Sequence, residues 1–127
     1  MAISKSSNLE QRLIEFCVLL AELIPELPQT RIGNYIADHL VRSGFSPSFN
    51  YAEAQDAESR HDFIHKLKVV LKELRESLVA LKITYRLHLV KSEVKVVAAI
   101  KETNELVSIF VASVRTARSH SGPKSDS

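Results

Sequence analysis

Residues 59–87 read Ser59-Arg60-His61-Asp62-Phe63-Ile64-His65-Lys66-Leu67-Lys68-Val69-Val70-Leu71-Lys72-Glu73-Leu74-Arg75-Glu76-Ser77-Leu78-Val79-Ala80-Leu81-Lys82-Ile83-Thr84-Tyr85-Arg86-Leu87. Ile64, Leu67, Leu71, Leu74, Leu78, Leu81 and Tyr85 alternate between spacings of three and four, which lays one apolar stripe along an α-helix. Phe63 and Val70 widen the stripe. Ser59 stands where an N-cap is needed, and Asp62 favours the positive end of the helix dipole. At ~1.5 Å per residue, Arg60 to Leu87 makes a helix roughly 42 Å long. Its heptad period predicts antiparallel neighbours crossing at about 20°.

The flanking segments supply those neighbours. Upstream, Ser7-Asn8-Leu9-Glu10 has the form of a capping box. Leu9, Leu13, Phe16, Leu20 and Leu23 then repeat at helical spacing. Cys17 sits beside that stripe as a small hydrophobe, and Pro25 and Pro28 end the helix. A second helix is expected from about Thr30 to Ser43, with Ile32, Ile36, Leu40 and Val41 as its apolar face. Gly44 then interrupts, and Ser46-Pro47 has the form of a new helix start. The second arm is therefore expected to be broken near residues 44–46 and to resume as a short segment to about Asp56. Downstream, a fourth helix is expected from near Ser92 to about Arg118. Val94, Val97, Ile100, Val107, Val111 and Val114 form its main stripe, broadened by Val96, Ile109 and Phe110. Asn104 interrupts that stripe; a buried asparagine there would fix register or oligomer state, and exposure explains it more simply. Residues 1–118 form one domain, and the Ser-rich stretch 119–127, with Gly122-Pro123, reads as a mobile tail.

Length and composition agree with this all-α reading. A chain of 127 residues, 45% hydrophobic, fits a single domain able to bury its own core. Three glycines and four prolines are too few for an all-β fold. One cysteine excludes an internal disulfide framework and suits a reducing, cytoplasmic compartment. No apolar run reaches a membrane span's length, and the first residues lack a signal-peptide stretch. The net charge of +2 is unevenly spread. Residues 1–59 carry four basic and eight acidic side chains, whereas residues 60–95 carry nine basic and four acidic. Such asymmetry marks either a nucleic-acid face or helices that complement one another in an assembly.

Few residues group into a recognisable chemical motif. Three scattered glycines build no phosphate loop, and no nucleophile elbow is present. His61 and His65 share a helical face with Glu58 one turn earlier, but a di-iron bundle needs a second Glu-x-x-His copy. A solvated helix start is the plainer reading. Asn50 with Glu53, and Glu73 with Glu76, form two carboxylate-bearing pairs. These could serve metal or acid–base chemistry. The plainer reading is a structural polar network in which Arg42, Lys66 and Lys72 supply the positive charge. Lys66, Lys68, Lys72, Arg75, Lys82 and Arg86 are the candidate nucleic-acid contacts; they cover more than one face of the helix, so some should be solvated and some paired. No aromatic residues interleave with them in sequence, which speaks against a single-strand platform. Neither a metal nor a cofactor is expected.

One stretch carries a resemblance. Arg42-Ser43-Gly44, Ser46, Asn50, Glu53-Ala54, Ala57, Ser59, Asp62-Phe63-Ile64, Lys66-Leu67, Leu71-Lys72-Glu73, Arg75-Glu76 and Leu81 follow one family pattern in order and spacing. It resembles the bacterial four-helix-bundle family named for proteins encoded in intervening sequences of large-subunit ribosomal RNA genes. The pattern centres on Ser-x-x-x-Asn-x-x-Glu-Ala, then Asp-Phe-Ile and Lys-Glu-x-x-Glu. The resemblance implies an antiparallel, up-and-down four-helix bundle assembling as a homopentamer, with no catalytic activity. A related branch includes the accessory variability determinant of diversity-generating retroelements, which partners a reverse transcriptase and nucleic acid; this chain is closer to the general branch.

Two departures from that pattern stand out. Phe49 occupies a usually small position, and Ala80 stands where tryptophan is frequent. Either the Phe49 ring enters the space near Ala80, or it faces solvent or another protomer. The apolar surplus at Phe63, Val70, Ile83, Val96 and Phe110 argues for a second buried surface, hence an oligomer. The expected function is a non-enzymatic oligomeric scaffold that contacts RNA or DNA through its basic third helix. It would act as a ribonucleoprotein or reverse-transcriptase accessory. The alternatives are a protein-interaction adaptor and a metal-dependent enzyme using Glu53, Glu73 and Glu76.

Overall fold

The computed structural model describes residues 5–120, with side chains from Asn8 onward. The described residues form four α-helices: α1 (Lys5–Leu23), α2 (Arg31–Gln55), α3 (Arg60–Arg86) and α4 (Glu93–Ser119). A short 3-10 turn, Ile24–Glu26, follows α1, and no strand occurs among the described residues. Lys66 of α3 meets Glu53 near one end of α2, and Ser77 meets Ser43 farther along. The two helices therefore run antiparallel. Arg12 against Glu102 and Glu22 against Lys95 show the same for α1 and α4. The result is an up-and-down four-helix bundle. α3 is its most embedded element, packed closely on both α2 and α4, whereas α1 approaches its neighbours least.

Local chemistry sets the helix ends. Ser59 Oγ accepts from the Asp62 amide at 3.0 Å, as expected for an N-cap. Thr30 caps α2 in the same way, accepting from Gly33 N–H at 3.1 Å. Ser92 does not cap α4 with its own side chain. Instead the Glu26 carboxylate reaches across, accepting from Ser92 N–H at 3.0 Å and from its hydroxyl at 2.8 Å. These bonds to Ser92 hold the Glu26 carboxyl below its usual pKa. α1 starts upstream of the proposed capping box and includes Ser7. The stretch 121–127 of the expected tail lies outside the described residues, and Ser119 is the last residue of α4.

The break expected at residues 44–46 is absent, and α2 runs unbroken through Pro47. Proline's fixed φ suits a helix; its cost is the missing N–H and steric pressure on the preceding turn. Side chains reinforce that turn. Cys17 Sγ donates to Gly44 O at 3.8 Å, Ser48 Oγ to Phe45 O at 2.8 Å, and Asn50 Nδ2 to Ser46 O at 3.1 Å. Gly44 is an approach site rather than a breaker: a Cβ there would lie 2.1 Å from Leu20 Cδ1 of α1.

Leu13, Phe16, Leu20 and Leu23 of α1 fill the core as the sequence stripe foretold. On α4 the phase differs. Val96, Ala99, Thr103, Leu106, Phe110 and Val114 face inward, while Val94 is 84% exposed and Val97 is exposed too. On α3 the core face is Leu67, Val70, Leu74, Ser77, Leu81 and Thr84. Ile64, Leu71 and Leu78 lie half-buried at its margin, and Tyr85 is exposed. Val70, Val96 and Phe110 thus belong to the bundle's own core and offer no second buried surface. The hydroxyls inside are satisfied: Ser43 and Ser77 pair at 2.9 Å, and Thr84 and Thr103 donate to carbonyls one turn back. Asn104 is exposed.

Candidate nucleic-acid interface

At ~100° per residue, Lys68, Lys72, Arg75, Lys82 and Arg86 fall within about 80° of one another around α3. The bundle turns that face outward, and all five side chains are exposed. They form one ridge about 27 Å long at ~1.5 Å per residue. Exposed His61 and His65 continue it toward the helix start. Lys72 lies 3.9 Å from Glu76, one turn along. Among the described residues, Lys68, Arg75, Lys82 and Arg86 have no ion pair within the chain. Lys66 does not belong to the ridge. It turns toward α2 and donates to Glu53 at 2.6 Å, and that hydrogen bond raises its pKa.

The polar residues of α2 and the adjoining side of α3 do not form one buried network. Glu76 is flanked by Arg42 at 3.7 Å and Lys72 at 3.9 Å, and by His39 Nε2 at 3.4 Å, whose ring accepts from Arg42 through Nδ1 at 2.9 Å. Glu53 and Lys66 form a separate pair at the helix surface. Asn50 bonds within α2, to Ser46 O and to Ser46 Oγ at 2.8 Å, rather than to α3. Glu73 is only 8% exposed and has no hydrogen-bond or ion-pair partner among the described residues. The three glutamates therefore do not converge, and the described residues hold no group of three or more candidate metal ligands.

Between the ridge and α2 runs an open groove of ≈ 540 Å³. Tyr35 and Ile36 of α2 and Val79, Ala80 and Ile83 of α3 give it an apolar lining, and Lys72 and Arg75 line it from the ridge. The space beside Ala80 is thus partly open, and Phe49 does not fill it: that ring does not line the groove and is 66% exposed. Tyr35 is 69% exposed and stacks on His39, with ring centroids 5.9 Å apart and planes 16° from parallel. Tyr35 and Phe49, two heptads apart, lie within about 40° of one another around α2. Sequence spacing along α3 could not show these aromatics, because they come from the antiparallel neighbour. The six basic residues read in sequence as covering more than one face of α3, some solvated and some paired; five of them share one outward face, and Lys66 is paired with Glu53.

No helix among the described residues is long and apolar enough to cross a membrane. Neither a family model nor a curated protein matches the sequence. A solved structure from Bacteroides thetaiotaomicron, described as a protein of unknown function from the S23 ribosomal protein family, has the same fold with a TM-score of 0.76. It is 26% identical, and the match covers 84% of this chain and 98% of that one.

Proposed function

We propose that this chain is a non-catalytic helical scaffold that assembles with copies of itself and contacts RNA or DNA through α3. The observation that carries this reading is the ridge: five cations on one outward face, four of them without a carboxylate partner among the described residues. Cations grouped without internal partners are suited to an external polyanion, where each neutralised phosphate releases a counterion. The likeness to a structure named for a ribosomal protein family supports the same direction. So does the resemblance at residues 42–83, from which the pentameric number comes. A ribonucleoprotein or reverse-transcriptase accessory role follows from that resemblance.

The second reading, an adaptor without nucleic acid, is favoured by the exposed acidic side chains of α1: Glu10, Glu15 and Glu22. In an assembly these could meet the ridge of a neighbouring copy.

Salt dependence separates the two. For duplex DNA bound by the intact assembly, the logarithm of affinity should fall with the logarithm of salt at a slope of about −4 to −5 per engaged ridge. The Lys82→Ala, Arg86→Ala double variant should reduce that slope by about two. Absence of binding at low salt, or an unchanged slope in the variant, would overturn the nucleic-acid reading. Light scattering reads the assembly independently: the mass of one protomer at micromolar concentration would overturn the scaffold.

A further inference from the structure

We infer that the ridge and the adjoining flank of α2 bind unpaired, single-stranded nucleic acid, with bases stacking on Tyr35 and Phe49 while the phosphates follow α3. The inference rests on the nucleic-acid reading above and narrows its substrate class. Three features of the surface support it. Lys72 and Arg75 line one groove with the exposed Tyr35 ring, and Phe49 is exposed on nearly the same side of α2; this is the pairing that single-strand platforms use, in which charge tracks the backbone and aromatic faces receive bases. Tyr35 is backed by the nearly parallel His39 ring, which holds it on the surface as a stacking plane. The groove beside Ala80 offers an apolar floor for a base edge next to Lys72 and Arg75.

Charge in the groove is compatible with this occupant. Among the described residues its one carboxylate, Glu76, is compensated by Arg42 and Lys72. Duplex nucleic acid cannot use the rings, because its base faces are already stacked. It would engage the cations alone.

The test compares a thymidine strand of about 20 nucleotides, its uridine counterpart, a strand of equal length made of abasic spacers, and a duplex, all binding the full chain in its assembled form. The expected result is that strands with bases bind roughly tenfold or more tighter than the abasic strand, the size of one stacked base. Tyr35→Ala should abolish most of that preference, and Phe49→Ala part of it. Both should leave duplex affinity and its salt slope unchanged, and Tyr35→Phe should retain the preference. Equal binding of abasic and base-containing strands would overturn the inference while leaving the ridge's role intact. So would a preference that survives the combined Tyr35→Ala, Phe49→Ala variant. A change in assembly mass in these variants would mean that a second copy covers the flank, and would also overturn it. Failure to bind any of the four probes would remove the nucleic-acid reading itself.

Discussion

Replacing Phe110 with alanine is expected to destabilise the bundle by about 3–5 kcal/mol. Its ring is fully buried and meets Tyr51 of α2 edge-on, with centroids 5.6 Å apart and planes at 82°. Truncation would remove that aromatic contact and leave a void among side chains that cannot collapse fully. Urea unfolding at fixed protein concentration measures the loss, since assembly makes stability concentration-dependent. The comparison is Val94→Ala on the same helix, where an exposed side chain should change stability by only about 0.5 kcal/mol or less. The two variants also decide the phase of α4. A small effect at Phe110 with a large one at Val94 would mean that the helix faces the core with its valine stripe.

Gly33→Ala should act against the usual helix preference. Alanine in a helix is normally favoured over glycine by about 1 kcal/mol. Here a Cβ would stand 1.9 Å from Pro28 O, 2.9 Å from Pro28 C and 3.0 Å from Pro28 Cγ. The obstacle is backbone in the connection before α2, so no rotamer change relieves it. The expected net loss is about 2–3 kcal/mol, typical of overpacking, and roughly 3–6 °C in Tm per kcal/mol for a chain of this size. Gly44→Ala meets a side-chain methyl of Leu20 instead, so it should cost less. A Gly33→Ala protein as stable as the parent would show that the connection shifts freely.

What the sequence disclosed depended on scale. Helix number, order and approximate ends followed from periodicity and from Ser59, Pro25 and Pro28. The phase of α4 did not, because hydropathy ranks Val94 and Val97 above Ala99 and Thr103. Yet the small residues are the ones that let α4 sit close to its neighbours. Gly44 and Pro47 read locally as a break; the Leu20 contact and three side-chain bonds to the carbonyls of Gly44, Phe45 and Ser46 reverse that reading. Glu53 and Lys66 do link α2 to α3, but Glu73 and Glu76 point to different surroundings, a distinction that pattern alone does not make. The groove depends on the register between α2 and α3. No spacing within either helix encodes that register, so the groove that Tyr35 shares with Arg75 was invisible.

The unequal seating of the helices has a consequence in time. An element that approaches its neighbours least opens to solvent at lower free energy than one packed on two sides. α1 should therefore detach and return many times before the remaining helices separate. Its amides should exchange hydrogen for deuterium sooner than those of α3 around Leu74 and Leu81. Protection in α1 equal to that of α3 would mean that the four helices open only together.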